Sequence, residues 1–91
     1  MSKTILVVDD SATIRQVVSQ TLIEQGFGVI EAVDGVDALN KLNGQKIHLV
    51  VSDVNMPNMN GITFVKEMKK LDRYKFTPVC MLTTEASQTE K

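Results

Sequence analysis

Short unbroken apolar runs, each closing on an acid or a hydroxyl, constrain this chain more than any other feature. Thr4-Ile5-Leu6-Val7-Val8 ends on Asp9-Asp10, the run from Ile47 to Val51 ends on Ser52-Asp53, and Pro78 to Leu82 ends on Thr83. A strand with one wet face alternates apolar and polar residues, whereas a run that is apolar throughout belongs to a parallel strand covered on both faces. Parallel strands need long crossovers, and the stretches between the runs carry helical spacing. Ile14, Val17, Val18 and Leu22 recur at helical intervals behind Ser11, an N-cap, and stop at Gly26 in a C-cap position. Gly28 to Ala32 reads as a short strand. Asp34-Gly35 then turns into a helix carrying Val36, Ala38, Leu39 and Leu42, stopped near Gly44. Ile62, Val65, Met68 and Leu71 mark a third helix before the last run. The order β-α-β-α-β-α-β with right-handed crossovers places helices on both faces of a doubly wound parallel α/β sheet. In such folds ligands bind at the carboxyl ends of the strands, near the topological switch point.

Length and charge narrow the function. The 91 residues are read as one domain, 1–91, too small for a two-domain enzyme, and 43% hydrophobic against 23% charged residues is the balance of a packed core. Ten Lys and Arg against 11 Asp and Glu leave a net charge of −1, so no broad field favours nucleic acid or an anionic membrane. The apolar run before Asp9 is too short for a signal peptide or a membrane helix, and a cytoplasmic location is expected. The single Cys80, inside Pro78-Val79-Cys80-Met81-Leu82, reads as a buried thiol in a reducing compartment. His48, at the start of the third strand, reads as structural. Met56, Met59 and Met68 read as gap-fillers, and Lys66, Lys69, Lys70, Arg73 and Lys75 as the solvated end of the third helix. Gly61 is expected where the backbone turns closely into that helix, with Pro57 stiffening the loop before it.

The chemistry lies at the strand ends. Asp9 and Asp10 close the first strand, Asp53 the third and Thr83 the fourth, so three carboxylates and a hydroxyl converge on one edge of the sheet. Clustered carboxylates repel one another and need a counter-charge. Oxygen donors with room for water suit Mg²⁺, and the His and Cys ligands of a structural zinc site are lacking.

Val7-Val8-Asp9-Asp10-Ser11, the stretch Ser52-Asp53-Val54-Asn55-Met56-Pro57-Asn58-Met59-Asn60-Gly61, and Leu82-Thr83-Thr84-Glu85-Ala86 resemble the receiver domain of two-component response regulators, closest to its single-domain chemotaxis members. The resemblance runs over the whole chain and implies a flavodoxin-like sheet. It implies that Asp53 accepts a phosphoryl group from a sensor histidine kinase. Asp10, Asp53 and the Asn55 carbonyl would contact Mg²⁺ directly, with Asp9 acting through water. Thr83 would hydrogen-bond the phosphoryl group, and the Asn55 side chain would influence its removal by water. The output would pass to a downstream protein such as a flagellar motor component, with no nucleic acid and no membrane insertion involved. Self-directed phosphoryl acceptance and hydrolysis make such a domain a switch rather than a turnover enzyme.

A receiver of this kind normally continues through a fourth helix, a fifth strand and a last helix, and this chain is expected to stop within the start of the fourth helix. The family's lysine on the fifth strand then has no counterpart here. A signalling-incompetent fragment that self-associates into a homo-oligomer through its exposed last strand is therefore an alternative. A Toprim-like Mg²⁺-dependent enzyme and a haloacid-dehalogenase-like phosphatase also cluster acids on α/β sheets. The first would place a Glu on the first strand and paired acids on the third, and the second a D-x-D nucleophile on the first. Asp9-Asp10 and Asp53-Val54-Asn55 match neither pattern.

Overall fold

A computed structural model describes residues 3–82. The chain runs through β1 (Thr4–Val8), α1 (Ala12–Glu24), β2 (Gly28–Ala32), α2 (Gly35–Leu42), β3 (Leu49–Asp53), α3 (Gly61–Lys69), a 3₁₀ turn at Asp72–Tyr74, and β4 (Val79–Leu82). The strands form one sheet in the order β2-β1-β3-β4, all pairs parallel, with Val8 opposite both Ala32 and Ser52, and Asp53 opposite Leu82. This is the doubly wound α/β architecture expected of the unbroken apolar runs.

Strand alternation divides the core. Leu6, Val8 and Val50 meet Ala38 and Leu42 of α2, Phe64 and Met68 of α3, and Tyr74 on one face of the sheet. Ile5, Val7 and Val51 meet Val18 and Leu22 of α1, together with Phe27, on the other. The helices start where side chains satisfy their first free N–H groups. The Ser11 Oγ accepts from Ile14 at 3.3 Å, Asp34 Oδ1 from Asp37 at 2.8 Å, and Asn60 Oδ1 from Thr63 at 2.8 Å. After α1, Gly26 takes the left-handed conformation at φ +94°, as its position behind the apolar periodicity suggests.

Four sequence expectations are corrected. Cys80 is exposed, not buried. It stands opposite Val51 and so lies on the α1 side of the sheet, but α1 packs over β2 and β1, two strands away from β4. Ile62 of α3 is exposed at 53%, and Leu71, which lies past the helix end at Lys69, at 43%, while Gly61, Phe64 and Met68 are the helix's buried residues. A strict i+3 series drifts around the helix by about 60° at each step, so Ile62 and Met68 cannot both face the sheet, and Leu71 falls beyond the helix in extended backbone. Val17 points outward for a related reason: it is a neighbour of Val18, not on the same face, and is 61% exposed. β3 also begins at Leu49 rather than at Ile47. The preceding His48 ties β3 to β1, its N–H donating to the Thr4 carbonyl at 2.8 Å and its Nδ1 accepting from the Thr4 N–H at 3.0 Å. Its structural reading therefore holds.

Tyr74 is the anchor of the irregular segment before β4. Its hydroxyl lies 2.7 Å from the Leu42 carbonyl and 2.6 Å from that of Gln45, so it fastens the 3₁₀ turn to the end of α2. The side chain is 3% exposed, and burial pushes its phenol above the ordinary range. Lys69 adds a second tie by donating from Nζ to the Thr77 carbonyl. Tyr74→Phe keeps the ring but leaves those carbonyls without their shared donor. It should cost about 1–2 kcal/mol, or roughly 5–10 °C in Tm for a domain of this size, which a thermal melt will measure.

Candidate functional site

The sheet order reverses between β1 and β3, since β1 leads outward to β2 and β3 outward to β4. A crevice opens at the carboxyl ends of the two central strands at such a point. Asp9 and Asp10 follow directly on β1, and Asp53 is the last residue of β3, one step beyond the paired Val8 and Ser52. Asp9, Asp10 and Asp53 each offer a carboxylate oxygen, and these oxygens all lie within 4.8 Å of one another. Asp9 and Asp53 are buried, at 2% and 3% exposure, while Asp10 faces solvent.

Asp9 is held closely. Its N–H donates to the Ala32 carbonyl at 3.1 Å, and its Oδ1 accepts from the Ser11 N–H at 2.8 Å. Its Oδ2 is buried with no hydrogen-bond partner among the described residues. Burial is the main force raising the Asp9 pKa above the ordinary carboxylate range; the Ser11 N–H opposes it, Asp53 and Asp10 reinforce it, and Arg15 lowers it. A buried carboxylate oxygen lacking a donor, with two more carboxylates beside it, fits a hard divalent cation. The all-oxygen donor set and the open Asp10 side suit Mg²⁺, which keeps several of its waters.

Asn55 reaches the site through its main chain, its N–H donating to Asp53 Oδ1 at 3.4 Å, and the residue is exposed. Val54 donates to the Leu82 carbonyl at 3.3 Å, which brings the end of β4 alongside the residue that follows Asp53. Thr83 lies outside the described residues.

At the rim, Arg15, Glu31 and Asn58 take roles that the sequence reading did not assign. Arg15 donates from Nη1 to the Asp9 carbonyl at 2.7 Å and from Nε to Glu31 at 3.0 Å. Asn58, at φ +66°, donates from its side-chain amide to Asp34 Oδ2 at 2.7 Å, joining the loop after β3 to the cap of α2. The Asp37 N–H and then the Asn58 amide hold the Asp34 carboxyl below the usual range. An Asn between Pro57 and Met59 was the one local hint of a left-handed residue, and nothing nearby in the sequence pointed to Asp34 as its partner.

Comparison with known proteins agrees with this geometry. The chain belongs to the response regulator receiver domain family, whose model matches residues 5–91. The chemotaxis protein CheY1 of Helicobacter pylori is 41% identical over 88 residues, covering 94% of this chain and 71% of that protein. The CheY homolog of Campylobacter jejuni is 39% identical over 88 residues, covering 94% and 68% respectively. Among solved structures, Vibrio cholerae CheY4 superposes with a TM-score of 0.90 at 48% identity, covering 96% of this chain and 72% of that one. The response regulator TrrA of Thermotoga maritima, solved in complex with Mg²⁺ and BeF, gives a TM-score of 0.83 at 33% identity, covering 92% and 71%. The chain is therefore a receiver domain of the CheY-like kind, a class of two-component signalling switches. Among the described residues, no helix is long and apolar enough to cross a membrane.

Proposed function

We propose that Asp53 accepts a phosphoryl group from a sensor histidine kinase in a Mg²⁺-dependent step. One observation carries the reading: three carboxylates within 4.8 Å at the switch point of the sheet, with Asp53 buried at the end of β3. A carboxylate is a weak nucleophile and a phosphoryl donor is an anion, so their approach needs neutralisation. Mg²⁺, when bound, supplies that neutralisation at the phosphoryl oxygens. Asp10, Asp53 and the Asn55 carbonyl would hold it directly, and Asp9 through water. An Asp53 oxygen forms the new bond to phosphorus as the bond from phosphorus to the donor imidazole breaks. The electron pair leaves with the imidazole nitrogen, which takes up a proton, and an acyl phosphate remains on Asp53. The Thr83 hydroxyl and the main-chain N–H of Asn55, which already points at the Asp53 carboxylate, are the donors proposed for its oxygens.

Hydrolysis of the acyl phosphate, influenced by the Asn55 side chain, would end the signal. The names of the Helicobacter, Campylobacter and Vibrio relatives favour a chemotaxis pathway, with a flagellar motor component as the output partner. The Mg²⁺ and BeF bound by TrrA favour the metal assignment. The exposed Cys80 and the outer edge of β4 are the surface proposed for self-association.

Incubation with acetyl phosphate and Mg²⁺ should add the mass of one phosphoryl group to the intact chain. Chelation of Mg²⁺ should suppress the gain, and Asp53→Asn should take up none. Equal labelling of Asp53→Asn, or no labelling of the parent chain, would contradict the assignment.

A further inference from the structure

We propose that Arg15 is a positioning residue for the Asp9–Asp10 pair, setting how tightly the acidic cluster holds a divalent cation. The inference rests on the metal-binding reading of that cluster. Arg15 closes a ring of contacts around the turn between β1 and α1. Its Nε–H donates to Glu31 at 3.0 Å, Glu31 precedes Ala32, the Ala32 carbonyl accepts from the Asp9 N–H at 3.1 Å, and the Asp9 carbonyl accepts from Arg15 Nη1 at 2.7 Å. The carbonyl of Asp9 and the N–H of Asp10 belong to one rigid peptide plane. Fixing that carbonyl therefore fixes the plane from which both carboxylates project. The orphaned Asp9 Oδ2 lies within this braced turn.

Stability alone does not account for the arrangement. Glu31 is half-exposed, with its side chain at 46% against 16% for Arg15, and a pair so open to water stabilises a fold little. What the fork adds is direction, since a planar guanidinium can hold a carboxylate and a carbonyl at once and an ammonium group cannot match that geometry. Electrostatics and positioning also predict opposite signs. Removing a cation beside the cluster should tighten Mg²⁺ binding by charge alone, whereas loosening the peptide plane should weaken it.

The test is a Mg²⁺ titration read from the amide NMR shifts of Asp9, Asp10 and Asp53 in the parent chain, Arg15→Gln, Arg15→Lys and Glu31→Gln, with unfolding midpoints measured in chelator. Arg15→Gln and Arg15→Lys should each raise the Kd for Mg²⁺ about tenfold, the low end for partners that orient metal ligands. Glu31→Gln should raise it by a smaller factor, with all midpoints in chelator close to the parent's. Unchanged or tighter binding in Arg15→Gln would overturn the inference, as would a lowered midpoint with an unchanged Kd. If Arg15→Gln fails to fold, Arg15→Lys decides, and a parental Kd in that variant overturns the inference. A parent chain that binds Mg²⁺ while the variants match it removes the role of Arg15 alone. A parent chain with no Mg²⁺ response removes the metal site and this inference with it.

Discussion

Gly61→Ala should destabilise the fold by about 3 kcal/mol, the upper part of the range for overpacking, and lower Tm by roughly 12–20 °C. A Cβ at this position would sit 2.1 Å from the backbone oxygen of Asp53 and 2.9 Å from Met81 Cε. The Gly61 N–H also donates to the Val54 carbonyl at 2.9 Å, so α3 is held against the end of β3 and cannot retreat without breaking that bond. A side chain could swing aside, but the obstacle here is main chain, and relief must come from moving either α3 or the strand end that carries Asp53. The damage should therefore reach the acidic cluster, with Mg²⁺ binding weakened in whatever fraction remains folded. Gly28→Ala is the matched control, because its Cβ would meet nothing closer than the Thr4 Oγ1 at 3.6 Å. That change should stay within about 0.5 kcal/mol, as most unobstructed substitutions do. A Gly61→Ala melt superposing on that of Gly28→Ala would mean that the β3–α3 junction is looser than its contacts imply.

Asp9→Asn should stabilise the chain in chelator by about 1–3 kcal/mol, the scale of like charges a few ångströms apart near a protein surface. The amide keeps the acceptor that takes the Ser11 N–H and replaces the orphaned buried oxygen by a donor. The sign of the pH dependence follows from the raised pKa of Asp9, caused first by burial and then by Asp53 and Asp10. Its folded form holds a proton more tightly than the unfolded chain does. Without metal, this group's contribution to stability therefore improves as pH falls from neutral through the raised folded value towards the unfolded one near 3.9. Asp34 works in the opposite sense, because its pKa is lowered by the Asp37 N–H and by Asn58. The stability it contributes is present above the unfolded value and is lost as pH falls through the depressed one. Urea unfolding across pH 4–8 in chelator should thus show a limb rising towards acid that Asp9→Asn removes. Mg²⁺ should flatten the same limb, and at ten times its Kd it should stabilise the parent chain by about 1.4 kcal/mol while leaving Asp9→Asn nearly unmoved. An Asp9→Asn chain less stable than its parent in chelator would show that the carboxylate is already balanced within the fold.

The strands were legible because burial on both faces leaves a signal that no distant contact can mask. Ile5 to Val8 had to be apolar at every position to serve two layers, and the acids that break off the first and third runs fall where those strands end. Ser11 and Gly26 were readable as caps, and Asp34 as a turn, for a similar reason, since each acts on main chain only a few residues away. The convergence of Asp9, Asp10 and Asp53 followed once those runs were taken as parallel neighbours. Other features depended on which element packs where. Cys80 sits in as apolar a run as any, but its exposure is set by the reach of α1 across the sheet, a distance that no residue near position 80 encodes. The buried face of α3 was decided by which side chains meet the sheet: Met68 lies where the periodicity placed it, but Phe64 took the place assigned to Ile62. The braces around the acids, Arg15 on Asp9 and Asn58 on Asp34, join residues 6 and 24 positions apart. By itself, then, the sequence determined the strands, the caps of the first helix and the three acids, because each is recorded in local patterning. Only the tertiary structure decided which side chains hold those acids in place, because hydrogen bonds between separate elements depend on how the elements are packed together.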